Sequence, residues 1–150
     1  MVYWRIRFDD GDHVGQEGWL EIEELPHEAT LERFGLDFGY STDPTAIVAV
    51  YKYNGGLILD EIAYTKGLSN KQIADILLGQ PRKALVVADS AEPKSIDDIA
   101  GYGVSVVACQ KGADSIRQGI QVVQDQRISF TKRSANLRKE YNSYLWRTDR

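Results

Sequence analysis

The sequence predicts an α/β fold: a mixed central sheet that starts as an antiparallel meander, continues with parallel strands and is flanked by helices. Two observations lead to this prediction. Three β-rich apolar runs joined by tight turns fill residues 34–64, and from residue 69 onward apolar runs alternate with segments of helical period. The length of 150 residues and the 43% hydrophobic content suit one ordinary domain with its own core.

The meander comes first. Residues 34–39 form a short apolar strand that carries one acid, residues 45–51 form a second β-rich run, and residues 57–64 return as a third. Asn54-Gly55-Gly56 supplies the hairpin turn between the last two. Connections this short allow only antiparallel pairing between successive strands.

Strands and helices then alternate. Residues 69–72, Ser-Asn-Lys-Gln, have the spacing of a capping box and begin a helix. Residues 84–88 are continuously apolar, as in a strand buried on both faces. Residues 92–93, Glu-Pro, open a short helix with Gly101 in the C′ position, and residues 104–108 are another short strand.

Two more helices complete the element order. Residues 116–123 carry one apolar helical face, and Ser134 is expected to cap a helix after it, with a further strand allowed between the two. This order matches the ribonuclease H-like fold, in which residues 34–39 would be the central strand and residues 84–88 its parallel neighbour. Residues 1–32, which are less regular, are expected to form a lead-in hairpin.

The composition excludes several classes of protein. No apolar run approaches the ~20 residues of a membrane-spanning helix, and the N-terminus lacks a signal-peptide core, which indicates a soluble intracellular protein. Cys109 is the only cysteine, so an internal disulfide is excluded. With only His13 and His27 beside it there is no Cys/His zinc cluster, and any metal must be held by oxygen.

Charge is unevenly distributed along the chain. The net formal charge is −4, but residues 127–150 hold seven basic groups against two acids, a balance of +5 that leaves −9 elsewhere. A basic tail on an acidic body suits an enzyme that touches a polyanion on one side and gathers carboxylates on another. The alternative is an ordinary solvated charged helix.

Two aspartates are placed where chemistry is expected. Asp37 lies inside the apolar strand 34–39, and Asp89 follows the buried strand 84–88. If these strands are adjacent and parallel, both acids meet at the end of the sheet where open α/β folds bind ligands. Paired carboxylates suit Mg²⁺ or Mn²⁺ and a two-ion site that hydrolyses a phosphodiester. Alternatively, Asp37 ends its strand and Asp89 is the N-cap of the helix near Pro93.

Three ordered motifs carry a family resemblance. They are residues 35–46 (GLDFGYSTDPTA), 88–96 (ADSAEPKSI) and 111–120 (KGADSIRQGI), and residues 140–146 (EYNSYLW) add a fourth segment. Together they resemble the nuclease domain of the tailed-phage terminase large subunit over about residues 33–146. The resemblance implies a metal-dependent endonuclease of ribonuclease H-like fold that cuts concatemeric double-stranded viral DNA during packaging, with Asp37 and Asp89 as catalytic metal ligands for Mg²⁺ or Mn²⁺.

The same resemblance implies partners, a location and a boundary. The partners are double-stranded DNA, the terminase ATPase domain, the small subunit and the portal, without a membrane, in the cytoplasm of an infected bacterial host. Residues 1–32 would then be the link from the ATPase half, and residues 33–150 the nuclease domain without its last helix. The chain has no G-x-x-x-x-G-K-[ST] sequence, so we expect the motor half to be absent.

The resemblance also leaves one ligand unassigned. The family's third metal-binding acid lies in a helix after the Tyr-Leu-Trp segment, and this sequence stops at Arg150. Asp149 falls before that helix and is not taken as the ligand. The alternative function is therefore a catalytically silent module that docks or holds DNA. A sugar-kinase or actin-like ATPase is a third hypothesis, but it needs a second nucleotide-binding lobe for which 150 residues are too few.

Supporting positions have weaker signals. Asp43 makes either an Asx-type turn or a contact behind the metal ligands, and Glu92 either orients a metal-bound water or stabilises a helix N-terminus. Four basic side chains are candidates for contacts with DNA phosphates, and the alternative is that they are ordinary solvent-exposed residues. These are Lys111, Arg138, Lys139 and Arg147.

Overall fold

Seven strands form one mixed sheet in the part of the chain that the computed structural model describes, which is residues 19–39, 42–89, 92–109, 128–137 and 139. The strand order is β1-β7-β4-β3-β2-β5-β6. The strands are β1 (Trp19–Ile22), β2 (Thr30–Asp37), β3 (Thr45–Tyr53), β4 (Gly56–Thr65), β5 (Val86–Asp89), β6 (Val106–Cys109) and β7 (Ile128–Thr131). The helices are α1 (Asn70–Leu78) and α2 (Pro93–Gly101).

The predicted meander is confirmed. β2 pairs with β3 and β3 with β4, both antiparallel. A two-residue turn joins β3 to β4, with φ values of 52° at Asn54 and 81° at Gly55. Positive φ at both turn positions matches the twist of the flanking strands, which is why an Asn-Gly pair suits this hairpin.

The parallel half of the sheet is confirmed as well. β5 pairs with β2 in parallel and β6 pairs with β5 in parallel, so β2 is an interior strand with β5 as its neighbour. At the other side β7 pairs in parallel with β4, and β1 pairs in parallel with β7. This mixed seven-stranded sheet with helices is ribonuclease H-like in architecture.

Both helices pack on one face of the sheet. The shared core joins apolar side chains of β2, β3 and β5 to those of α1 and α2: Phe34, Leu36, Ile47, Ala49, Val86, Ala88, Ile73, Leu77, Ile96 and Ile99. Burial of each large aliphatic or aromatic side chain contributes roughly 1.5–3 kcal/mol. The capping box of α1 is formed, because the Ser69 hydroxyl accepts from the Gln72 N–H at 3.1 Å and the Gln72 side chain accepts from the Ser69 N–H at 2.9 Å.

The prediction for the end of α2 was wrong by two residues. Gly101 is the last helical residue, Tyr102 is the C-cap, and Gly103 has the positive φ of 104°. Glycine at 103 supplies the left-handed conformation at no steric cost, so it is this residue that turns the chain toward β6. The strand itself runs Val106–Cys109, later than the predicted 104–108.

Part of the expected lead-in belongs to the sheet. Within residues 1–32, β1 lies beside β7, and the Lys132 N–H donates to the Ile22 carbonyl at 2.8 Å. β2 begins at Thr30, and the domain boundary between residues 32 and 33 stays a prediction. The predicted helical face at 116–123 lies outside the described residues. No described helix is long and apolar enough to span a bilayer.

Candidate metal site at the carboxyl end of β2 and β5

Asp37 ends β2 in the interior of the sheet. Its side chain is 9% exposed, the preceding Leu36 is fully buried, and Asp37 opposes Ala46 of β3. An ionised carboxylate in this position is costly unless hydrogen bonds or a cation compensate it. The position predicted from sequence is therefore one where a charged group has to be compensated.

Asp89 ends the neighbouring parallel strand at the same level. The β2–β5 ladder pairs Phe34 with Val86 and Leu36 with Ala88, so the next positions along the two strands are Asp37 and Asp89. Adjacent strands are about 4.8 Å apart. The structure thus brings the two backbone positions together at the carboxyl edge of the sheet, the usual ligand edge of an open α/β fold.

The helix after β5 begins at Glu92. Glu92 is the N-cap of α2, with Pro93 at N1, and its side chain makes no capping hydrogen bond. Asp89 lies three residues earlier, within β5. The alternative prediction that Asp89 is the N-cap of this helix is therefore wrong. Glu92 is half-buried between strand and helix.

The backbone at Gly39 lies close to the backbone just before β3. The Gly39 N–H donates to the Thr45 hydroxyl at 3.0 Å, and a Cβ placed on Gly39 would lie 2.1 Å from the Asp43 carbonyl oxygen. Only glycine permits this approach of two backbone segments. Asp43 is exposed in this loop, beside the strand that carries Asp37.

The predicted DNA-contacting residues are mostly beyond what the structure describes. Lys139 is helical and exposed. Lys111, Arg138 and Arg147 lie outside the described residues.

Sequence reasoning missed a buried acid on β4. Asp60 is 1% exposed; its Oδ1 accepts from Arg133 Nε at 2.8 Å and from the Thr131 hydroxyl at 2.7 Å, and its Oδ2 accepts from the Arg133 guanidinium. Hydrogen bonding to Asp60 raises the pKa of Arg133 above its usual value. Partial burial, and then the Asp60 charge, raise the pKa of Tyr51. The signal in the sequence was the same as for Asp37: an acid inside an apolar strand.

The next residue, Glu61, holds the start of the following helical turn. Glu61 Oε1 accepts from the Asn136 and Leu137 N–H groups at 3.0 Å each, and Oε2 accepts from Asn136 Nδ2 at 2.8 Å. The prediction that Ser134 caps this helix is corrected, because the Ser134 hydroxyl instead accepts from the Glu61 N–H at 2.9 Å. The cap comes from 75 residues away in sequence, where local patterns carry no signal.

The donor set limits which metal could bind. Within the described ranges, no group of three or more His, Cys, Asp or Glu side chains is placed to hold a metal. Aspartates at the two backbone positions that end β2 and β5 would offer hard oxygen ligands, the type that Mg²⁺ or Mn²⁺ prefers in an open site that keeps water ligands. The chemistry of the residues present therefore fits a divalent cation that keeps water ligands.

Comparisons with known proteins agree with this architecture. The terminase large subunit of Bacillus phage SPP1 is 32% identical over 145 residues, covering 87% of this chain and 34% of that protein. The nuclease domain of the SPP1 large terminase, solved with bound Mn, superposes with a TM-score of 0.65 at 24% identity, over 84% of this chain and 78% of that one. The large terminase of a thermophilic bacteriophage has a TM-score of 0.69 at 16% identity, over 91% of this chain and 37% of that one.

No protein-family model matches the chain. The chain spans about one third of the length of the SPP1 relative. In the solved structures it superposes on most of an isolated nuclease domain but on a minor part of a whole large terminase. By sequence and by fold, the chain belongs to the phage terminase large-subunit family and corresponds to the nuclease domain.

Proposed function

We propose that this chain is a divalent-metal-dependent endonuclease domain that cuts double-stranded DNA during viral genome packaging, with Asp37 and Asp89 as its metal ligands. The observation that carries the proposal is the register of β2 and β5, which aligns the two aspartates on adjacent parallel strands. The nuclease domain of the SPP1 relative holds Mn, which supports the same class of cation here.

The residues of the chain have distinct tasks in this proposal. Mg²⁺ or Mn²⁺, bound singly or as a pair, would activate water and stabilise charge on the phosphodiester. Asp37 and Asp89 hold the cation on rigid strand ends, and the Gly39 loop fixes the backbone after Asp37. Glu92 and Asp43 act behind the ligands, as acceptors for metal-bound water. Lys139, with Lys111, Arg138 and Arg147, contacts DNA phosphates without reading sequence.

The partners follow from the same proposal. In a complete terminase the domain would work beside a packaging ATPase domain, a small subunit and a portal, in the cytoplasm of the bacterial host. The basic balance of residues 127–150 supports a DNA-facing side, since phosphate contacts dominate binding to duplex DNA.

Calorimetric titration of Mn²⁺ and a plasmid-nicking assay test the proposal. Wild type should bind Mn²⁺ and nick plasmid, and Asp37→Ala should lose both. Asp75→Ala is the matched control, because it makes the same substitution at an exposed acid whose ion pair with Lys71 lies on the surface. Equal Mn²⁺ binding by wild type and Asp37→Ala would overturn the metal assignment.

The alternative of a silent DNA-holding module has a different outcome in the same experiments. Such a module would bind duplex DNA without nicking it. A longer chain that continues past Arg150 would then separate the two functions, because cleavage that appears only in the longer chain indicates a missing ligand rather than a module without catalysis.

A further inference from the structure

Glu61 and Asp37 share one face of the sheet. Asp37 opposes Ala46 of β3, and Glu61 opposes Val48 of the same strand. Ala46 and Val48 are two residues apart and therefore point to the same side, and directly paired residues share a face. A bulge between Ile47 and Val48 adds Ile62 to β4 and sets Glu61 on this side.

The helical turn at residues 135–137 is fastened to that face through Glu61. Its carboxylate takes two backbone N–H groups and one side-chain amide from Asn136 and Leu137. The first N–H groups of a helix have no partner within the helix, so a carboxylate supplies both hydrogen bonds and charge where they are needed. Leu137 of the same turn is 2% exposed, so its side chain packs in the interior.

A second set of contacts holds the junction from the other side of β4. Asp60 binds Arg133 and Thr131, the Thr131 and Ser134 hydroxyls lie 2.7 Å apart, and the Ser134 hydroxyl accepts from the Glu61 N–H. Consecutive residues of one strand thus hold both ends of the β7-to-helix turn. The contacts with β4 therefore set the direction in which the chain leaves this helical turn toward Lys139.

We propose that Glu61 is a positioning residue for Lys139, one of the proposed DNA contacts: by holding the backbone of Asn136 and Leu137, it fixes the chain two residues before Lys139 relative to the sheet face that carries Asp37. This inference rests on the proposed function, because it concerns the same substrate. Glu61 does not touch DNA or metal in this proposal; it acts through the helical turn that it anchors.

Three variants test this role. Glu61→Ala removes the acceptor. Glu61→Gln keeps one acceptor oxygen for the two backbone N–H groups and places an NH₂ group opposite Asn136 Nδ2. Glu23→Gln is the matched control, since it neutralises an 80%-exposed acid that contacts the same turn through Lys132 at 3.5 Å without touching the helix. The measurements are hydrogen exchange at residues 136 and 137, affinity for a short DNA duplex, and Mn²⁺ affinity.

We expect the variants to change the affinity for duplex DNA and to leave the affinity for Mn²⁺ unchanged. Glu61→Ala should raise exchange at the two amides and weaken duplex binding about tenfold, the scale of a lost helix cap. Glu61→Gln should restore part of both, and Glu23→Gln should match wild type. Mn²⁺ affinity should be unchanged in all three, which a general loss of folding would not produce.

Two results would overturn the role of Glu61 while leaving the proposed function intact. Unchanged exchange at residues 136 and 137 in Glu61→Ala means that Glu61 does not anchor the helical turn. Raised exchange with wild-type duplex affinity means that the anchored turn does not position the DNA contacts. If wild type itself binds no duplex, the proposed function fails, and the positioning role falls with it.

Discussion

Two pairs of acids lie in the same sheet, one within β4 and one at the ends of β2 and β5. Asp60 and Glu61 on β4 are each met by donors of the protein: a guanidinium and a hydroxyl for Asp60, and two backbone N–H groups and an amide for Glu61. Asp37 at the end of β2 has another aspartate, Asp89, as its neighbour in register on β5.

The two pairs are expected to have different tasks. Removing one partner of a buried, hydrogen-bonded ion pair leaves an uncompensated charge and is strongly destabilising. In the proposed function the strand-end aspartates bind a divalent cation, so metal adds to the stability of the native state through them. We therefore expect neutralisation of Asp60 to lower stability in any buffer, and neutralisation of Asp37 to remove the stabilisation by metal.

The largest effect is expected at Arg133. Arg133→Ala leaves the Asp60 carboxylate, 1% exposed, without its cation, and should lower the free energy of unfolding by about 3 kcal/mol. Urea denaturation measures it. Lys132→Ala is the control: its ion pair with Glu23 lies on the surface, so the change should stay within about 0.5 kcal/mol. Similar losses in the two variants would show that Asp60 does not depend on its cation.

A smaller effect is expected beside Asp37. Gly39→Ala puts a methyl group 2.1 Å from the Asp43 carbonyl oxygen, so the loop must shift, at a cost of about 2 kcal/mol. Gly101→Ala serves as control, because a Cβ there meets nothing within 4 Å and alanine favours the helix. Thermal unfolding compares them. Equal stability of Gly39→Ala and wild type would mean that the loop is not held by this contact.

Neutralising Asp37 should act through the metal. Mn²⁺ at roughly five times its dissociation constant should raise the free energy of unfolding of wild type by about 1 kcal/mol, and should not stabilise Asp37→Asn. Asp60→Asn should lower the free energy of unfolding with or without Mn²⁺, because it removes the charge that pairs with Arg133. Chemical denaturation with and without Mn²⁺ measures both variants, and equal stabilisation of wild type and Asp37→Asn by Mn²⁺ would remove the distinction.

The sequence predicts those parts of the molecule that depend on local pattern. Apolar β-rich runs and the Asn54-Gly55 turn predict the meander, and an acid inside an apolar strand identifies Asp37. The alignment of Asp89 with Asp37 follows once β2 and β5 are taken as parallel neighbours, which the element order suggests.

What the sequence could not predict is long-range. The cap of the turn at 135–137 comes from Glu61, and local chemistry assigned it to Ser134 because serine is a common N-cap. Nothing near Asp60 in sequence indicates Arg133, 73 residues later. The chain turns after α2 at Gly103 rather than Gly101, and local sequence does not distinguish two glycines that lie two residues apart near a helix end.

The smallest effect is expected in the pH dependence of stability, through Tyr51, which lies near Asp60 of β4. Burial and the Asp60 charge raise the pKa of Tyr51 above its ordinary value of 10.0, so above that pH the unfolded chain loses the phenolic proton while the folded chain keeps it. The free energy of unfolding should therefore fall as pH rises past 10.0. Urea unfolding at neutral and alkaline pH should show a shallower decline for Tyr51→Phe, with Tyr53→Phe as the control at an exposed position of the same strand. An equally steep decline in Tyr51→Phe would mean that burial and the Asp60 charge together do not raise the pKa of this phenol, so that another group is responsible for the alkaline loss of stability.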